Sequence, residues 1–181
     1  MRLKWLAGLI AVLIPAPSLM AGVATYTYTG NDFELVFGVY TTSDFVTGYF
    51  TVASVLPANL VMSPNNISPT AYSFTDGVQT FSSAAPPTNI TFSIGTDGSG
   101  NIDSWDVNLG SGPPLNDTVS TESSSSDVGE MDNLDSFGET IGDPGGWTET
   151  SASTPEPASL GLIGMGAVAL GLVRRRAKRA R

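Results

Sequence analysis

The chemistry open to this chain is bounded by the functional groups of its central stretch. Residues 25–153 contain no Lys, Arg, His or Cys, and all eight basic residues lie at the two ends. That stretch therefore has no Ser-His-Asp triad, no cysteine nucleophile, no Schiff-base lysine and no ordinary zinc ligand set. It also lacks a cation to steady a transferring phosphoryl group. Carboxylates remain, and 16 of the chain's 17 fall here, Glu156 being the exception. A two-carboxylate glycoside hydrolase is the one enzyme class these groups permit. No pair of acids converges in the sequence, and nine of the 16 sit between Asp117 and Glu149. The residues read as those of a non-enzymatic protein.

Apart from calcium, no cofactor is expected. Asp97, Ser99, Asn101 and Asp103 place oxygen side chains at alternate positions, as the start of an EF-hand loop does. The loop has Ile102 where that motif needs its turn glycine, and Asp-Gly and Gly-Asn are also ordinary hairpin-turn pairs. A second acidic group, Asp127, Glu130, Asp132 and Asp135, reads as a solvated charge run that would hold cations only loosely.

The charge of −16 over residues 25–153 argues against a nucleic-acid partner, because such affinity comes largely from basic residues displacing counterions. With no cysteine in the chain, an apolar core or bound ions must hold the domain together. Three-residue glycosylation patterns at Asn66, Asn89 and Asn116 carry little weight, since they arise by chance.

The elements that must position these groups read as short strands. Thr25–Thr29 alternates strictly, and Phe45–Val52 is rich in β-branched and aromatic residues. Ala71–Thr75, Asp76-Gly77 and Val78–Phe81 form a hairpin signal. A second signal joins Ile90, Phe92 and Ile94 to Ile102–Leu109 through Asp97–Asn101. The fold expected is all-β, a small antiparallel β-sandwich or barrel over residues 25–115. Its candidate core is Tyr28, Phe33, Leu35, Phe50, Val52, Leu60, Tyr72, Phe74, Phe92, Ile94, Trp105 and Val107. Residues 116–153 are acidic and Ser/Thr-rich, which predicts a mobile loop or linker ending in a short strand near Trp147. An exposed aromatic strip on one sheet face would favour a carbohydrate-binding module, and full burial of Tyr26, Tyr49 and Trp105 would remove its support.

The two ends read as address labels. Residues 1–24 carry Arg2 and Lys4, an apolar run from Trp5 to Ile14, then Pro15 and Pro17, the order of a signal-peptide helix. Cleavage is expected after Ala24, with Ala21 as the alternative. Residues 154–181 begin with Pro155, Glu156 and Pro157, which forbid helix upstream. An uncharged run follows: Leu160, Gly161, Leu162, Ile163, Gly164, Met165, Gly166, Ala167, Val168, Ala169, Leu170, Gly171, Leu172 and Val173. As a single transmembrane helix it would reach roughly 21 Å at about 1.5 Å per residue, short of a hydrocarbon core of about 30 Å. The basic stop of Arg174, Arg175, Arg176, Lys178, Arg179 and Arg181 assigns the C-terminus to the cytoplasm and the body to the other side.

The order Pro-Glu-Pro, glycine-rich apolar run and arginine cluster resembles the PEP-CTERM sorting tail of Gram-negative bacteria. A sortase signal would need Leu-Pro-x-Thr-Gly, and a glycolipid-anchor signal ends without basic residues. The resemblance implies an exosortase as partner, acting on Pro155, Glu156 and Pro157. Export would run through the Sec translocon and signal peptidase to the inner membrane, the body facing the periplasm. The cell surface or extracellular matrix, with its polysaccharide and biofilm, would be the destination. Tyr28-Thr29-Gly30, Ser73-Phe74-Thr75-Asp76-Gly77 and the stretch from Thr96 to Trp105 also resemble a recurrent exported-domain pattern, which brings no activity with it.

Overall fold

The structure, a computed structural model, describes residues 22–132 and 134–151. They form eleven strands: β1 (Ala24–Thr29), β2 (Leu35–Phe37), β3 (Thr47–Val52), β4 (Ala71–Thr75), β5 (Thr80–Ser82), β6 (Asn89–Thr96), β7 (Ile102–Gly110), β8 (Thr118–Glu122), β9 (Ser126–Met131), β10 (Ser136–Ile141) and β11 (Gly146–Ser151). Every pairing is antiparallel, in a five-stranded sheet of order β11-β1-β3-β4-β5 and a six-stranded sheet of order β2-β10-β9-β8-β7-β6. Rings of one sheet pack on rings of the other, Phe50 on Phe92 and Tyr28 on Trp105, so the fold is a sandwich. The expected signal-peptide and transmembrane helices lie outside the described residues.

Alternation explains the first sheet. Tyr26 and Tyr28 of β1, Phe50 and Val52 of β3, and Tyr72 and Phe74 of β4 turn inward and are buried, while the residues between them face out. The β4–β5 turn consumes residues 76–79, so β5 begins at Thr80, two residues later than expected. Asp76 accepts the backbone N–H groups of Val78 and Gln79, and Gly77 takes the left-handed φ of +94° that this turn needs.

Two expectations are corrected. Leu35 is half exposed, because the three-residue edge strand β2 pairs only with β10 and turns Val36 inward instead. Residues 116–132 and 134–151 are not a mobile loop: β8, β9 and β10 extend the six-stranded sheet, and β11 pairs with β1. Most inward residues of β8 to β10 are small or polar, among them Thr121, Gly129, Ser136, Gly138 and Thr140, with Val119 and Met131 the apolar exceptions. The space above them is already filled. A Cβ at Gly138 would collide with the Phe33 ring.

The free edge of β6 is covered by side chains acting as backbone. Asn66 accepts the N–H of Ile94 at 2.9 Å and donates to its carbonyl at 2.7 Å, and Asn65 accepts the N–H of Phe92.

Candidate functional site

The calcium candidates sit in the β6–β7 turn. One oxygen of Asp97 accepts the N–H groups of Ser99 and Asn101, and the other accepts the Asn101 amide at 3.0 Å. These bonds hold its carboxyl below the usual range, Asn101's amide contributing most. Asp103 bonds the neighbouring Ser104 hydroxyl instead. Asp97 thus closes its own turn, and no group of three or more His, Cys, Asp or Glu among the described residues is placed to hold a metal.

Two other carboxylates, read from the sequence as a charge-run member and a turn residue, are fully buried between the sheets. Asp127 of β9 receives the Tyr28 hydroxyl at 2.7 and 2.9 Å. That hydroxyl in turn accepts the N–H of Gly145, and Trp105 donates its indole N–H to Thr121 beside the same carboxylate. Burial pushes the Asp127 carboxyl up to about 6, against the lowering effect of Thr121, Tyr28 and Gly145. Burial, and then the charge of Asp127, pushes the Tyr28 phenol up as well. Asp76 receives the Tyr40 hydroxyl at 2.6 Å and the Gln79 amide at 2.9 Å. Gln79 also donates to the carbonyls of Thr118 and Glu130, tying the β4–β5 turn to the opposite sheet. Both acids are occupied in holding the sheets together. Only tertiary pairing reveals them, and the sequence signal was slight: isolated acids within otherwise alternating segments.

The carboxylates that face solvent in register are Asp106 of β7 and Glu122 of β8. Burial and then the charge of Glu122 push the Asp106 carboxyl up. They belong to the outer face of the six-stranded sheet, where each of β7 to β10 contributes one acid: Asp106, Glu122, Glu130 and Glu139.

The outer face of the five-stranded sheet is different. Register places its outward residues in three rows across the strands. Thr148, Thr27, Tyr49, Ser73 and Ser82 make the middle row. Thr150, Thr25, Thr51 and Ala71 lie on one side of it, and Gly146, Thr29, Thr47, Thr75 and Thr80 on the other. None is charged. Glu149, the only acid in these strands, lies beside Tyr26 on the inner side. Of the three aromatics singled out in the sequence, Tyr26 and Trp105 are buried and bonded inside the sandwich, while Tyr49 is 40% exposed at the centre of this face.

The ends of the body meet. Ala24 opens β1, fully buried, and pairs with Val52 on one side and Ser151 on the other. Ala21, Pro155, Glu156, Pro157, the apolar run 160–173 and the basic stop lie outside the described residues. No helix among the described residues is long and apolar enough to cross a membrane, which says nothing of a β-barrel.

The comparison with protein families bears on that tail. Residues 153–177 match the PEP-CTERM protein-sorting motif. The match takes in the Pro155-Glu156-Pro157 element, the apolar run and the first arginines, and leaves the sandwich unmatched. A sorting motif of this kind implies export, a membrane-anchored sorting signal and processing by an exosortase. No curated protein and no solved structure matches the chain.

Proposed function

We propose that this chain is a non-enzymatic protein of the cell surface or extracellular matrix, exported through the Sec pathway and held briefly at the inner membrane. An exosortase then removes its tail, and the sandwich joins the exopolysaccharide or biofilm outside the cell. The sorting-motif match at residues 153–177 carries this reading. The geometry of the body supports it: Ala24 and Ser151 are partners, so both processed segments join the sandwich at one place. The test is localisation of the tagged protein in cells with and without the candidate exosortase. The expected result is accumulation in the membrane fraction when the enzyme is missing, and identical distribution in both strains would overturn the proposal.

Signal peptidase is proposed to cut after Ala21. A cut after Ala24 would remove a fully buried residue from β1, whereas a cut after Ala21 leaves that strand whole. N-terminal sequencing of the exported protein is expected to begin at Gly22, and a start at Thr25 would refute this.

A carbohydrate-binding role is the second reading, favoured by Tyr49 standing exposed among hydroxyls. A carboxylate-only hydrolase would have to run on Asp106 and Glu122, which face each other on a strand surface.

A further inference from the structure

We infer that the outer face of the five-stranded sheet is a binding surface for a neutral polysaccharide chain. The inference deepens the matrix reading of the body and rests on it. Residues 25–153 hold 16 carboxylates and no basic residue. The six-stranded sheet shows the pattern, one outward acid on each of β7 to β10. The other sheet breaks it, its outward residues being nine threonines, two serines, Tyr49, Ala71 and Gly146. These come from four separate stretches of the chain, β1, β3, the β4–β5 hairpin and β11, so no single local bias in composition accounts for the absence of charge.

The chemistry of the face selects its occupant. Rows of hydroxyls stand about 4.8 Å apart from strand to strand and about 6.8 Å apart along each strand. A free hydroxyl offers a donor and acceptor positions, as the hydroxyls of a sugar do, while Thr25 and Thr51 bond each other and Thr75 is engaged in the β4–β5 turn. Thr47 and Thr148 donate to the backbone carbonyls of Tyr28 and Thr27, which orients them with their oxygens available to a ligand. Tyr49, on the central strand β3, supplies an electron-rich ring face for the C–H groups of a pyranose. A protein partner is disfavoured, since the centre of a protein interface is built from several aromatic and apolar anchors and this face has one. An anionic glycan is disfavoured on this face by like charge and by the lack of Lys or Arg in residues 25–153.

The test is affinity electrophoresis of the full chain in detergent, in native gels containing hydroxyethyl cellulose, dextran, galactomannan or alginate. At least one neutral glycan is expected to retard the protein, and any retardation by alginate, which the basic tail can pair with, is expected to be unchanged in the face variants. Tyr49→Ala and Thr27→Glu are each expected to weaken retardation about tenfold or more with an unchanged melting temperature, while Glu130→Gln on the acidic face behaves as wild type. If Thr27→Glu fails to fold, Tyr49→Ala decides alone. The inference is overturned if no neutral glycan retards the protein, if the face variants weaken retardation by alginate as well, or if they run as wild type in the neutral glycans. Retardation that grows with protein concentration would assign the face to a second copy and overturn it too. Because the gel needs no exosortase, its failure is distinct from a failure of the localisation test.

Discussion

Burial raises the Asp127 carboxyl to about 6, so ionising it works against the fold. The native state then binds more protons than the unfolded chain between roughly pH 4 and 6, and this group's contribution to stability falls as pH rises through that window. The loss levels off about one pH unit above the native-state pKa. Asp127→Asn, which has no proton to lose there, is expected to flatten the melting-temperature profile over roughly pH 4–7. A variant that tracks the wild type across that range would contradict the burial argument. Two tyrosines make a matched contrast. Tyr28→Phe takes a donor from Asp127 and an acceptor from Gly145, with an expected loss of about 1–3 kcal/mol in urea unfolding. The Tyr72 hydroxyl is buried and makes no hydrogen bond to the protein, so Tyr72→Phe is expected to be neutral or stabilising.

Strand β11 shows what one element contributes. Its Trp147 ring lies 5.0 Å from Tyr28 and 5.3 Å from Phe50, centroid to centroid, with Phe74 and Trp105 near by. Trp147→Ala is expected to cost about 3–5 kcal/mol, measured as a shift in the urea midpoint. Trp147→Phe should cost less, because the indole N–H makes no hydrogen bond to the protein. This strand was legible, since a large apolar ring in a polar stretch gains free energy by docking on a core. Strands β8 to β10 were not. Sequence reading looks for alternating apolar residues, and here the inward positions hold Thr121, Asp127, Gly129 and Gly138. They are small or polar because aromatic rings and acid networks from elsewhere in the chain fill the space above them. Leu35 departs in the opposite direction, an apolar residue left outside because its strand lies at a sheet edge.

At the scale of the molecule, the charge of −16 sits on one small sandwich with no opposing cation in residues 25–153. Mutual repulsion opposes compaction and is screened by salt. The melting temperature is expected to rise between low and moderate sodium chloride. Calcium added at constant ionic strength is expected to leave it unmoved, as Asp97 is committed to its own turn. A calcium-specific rise would restore the metal reading.

From the sequence alone follow the all-β class, most inward residues of β3, β4, β6 and β7 with Tyr28 of β1, the chemistries excluded by missing residue types, and the sorting tail. All are local properties, readable from neighbours a few positions apart. Tertiary structure decided which strands are adjacent, and with it everything that depends on adjacency. Ala24 beside Ser151, Tyr28 against Asp127, and threonines from β1, β3 and β11 in one uncharged plane are pairings between distant parts of the chain. Alternation assigns a residue to a face, but only strand order determines what shares that face with it.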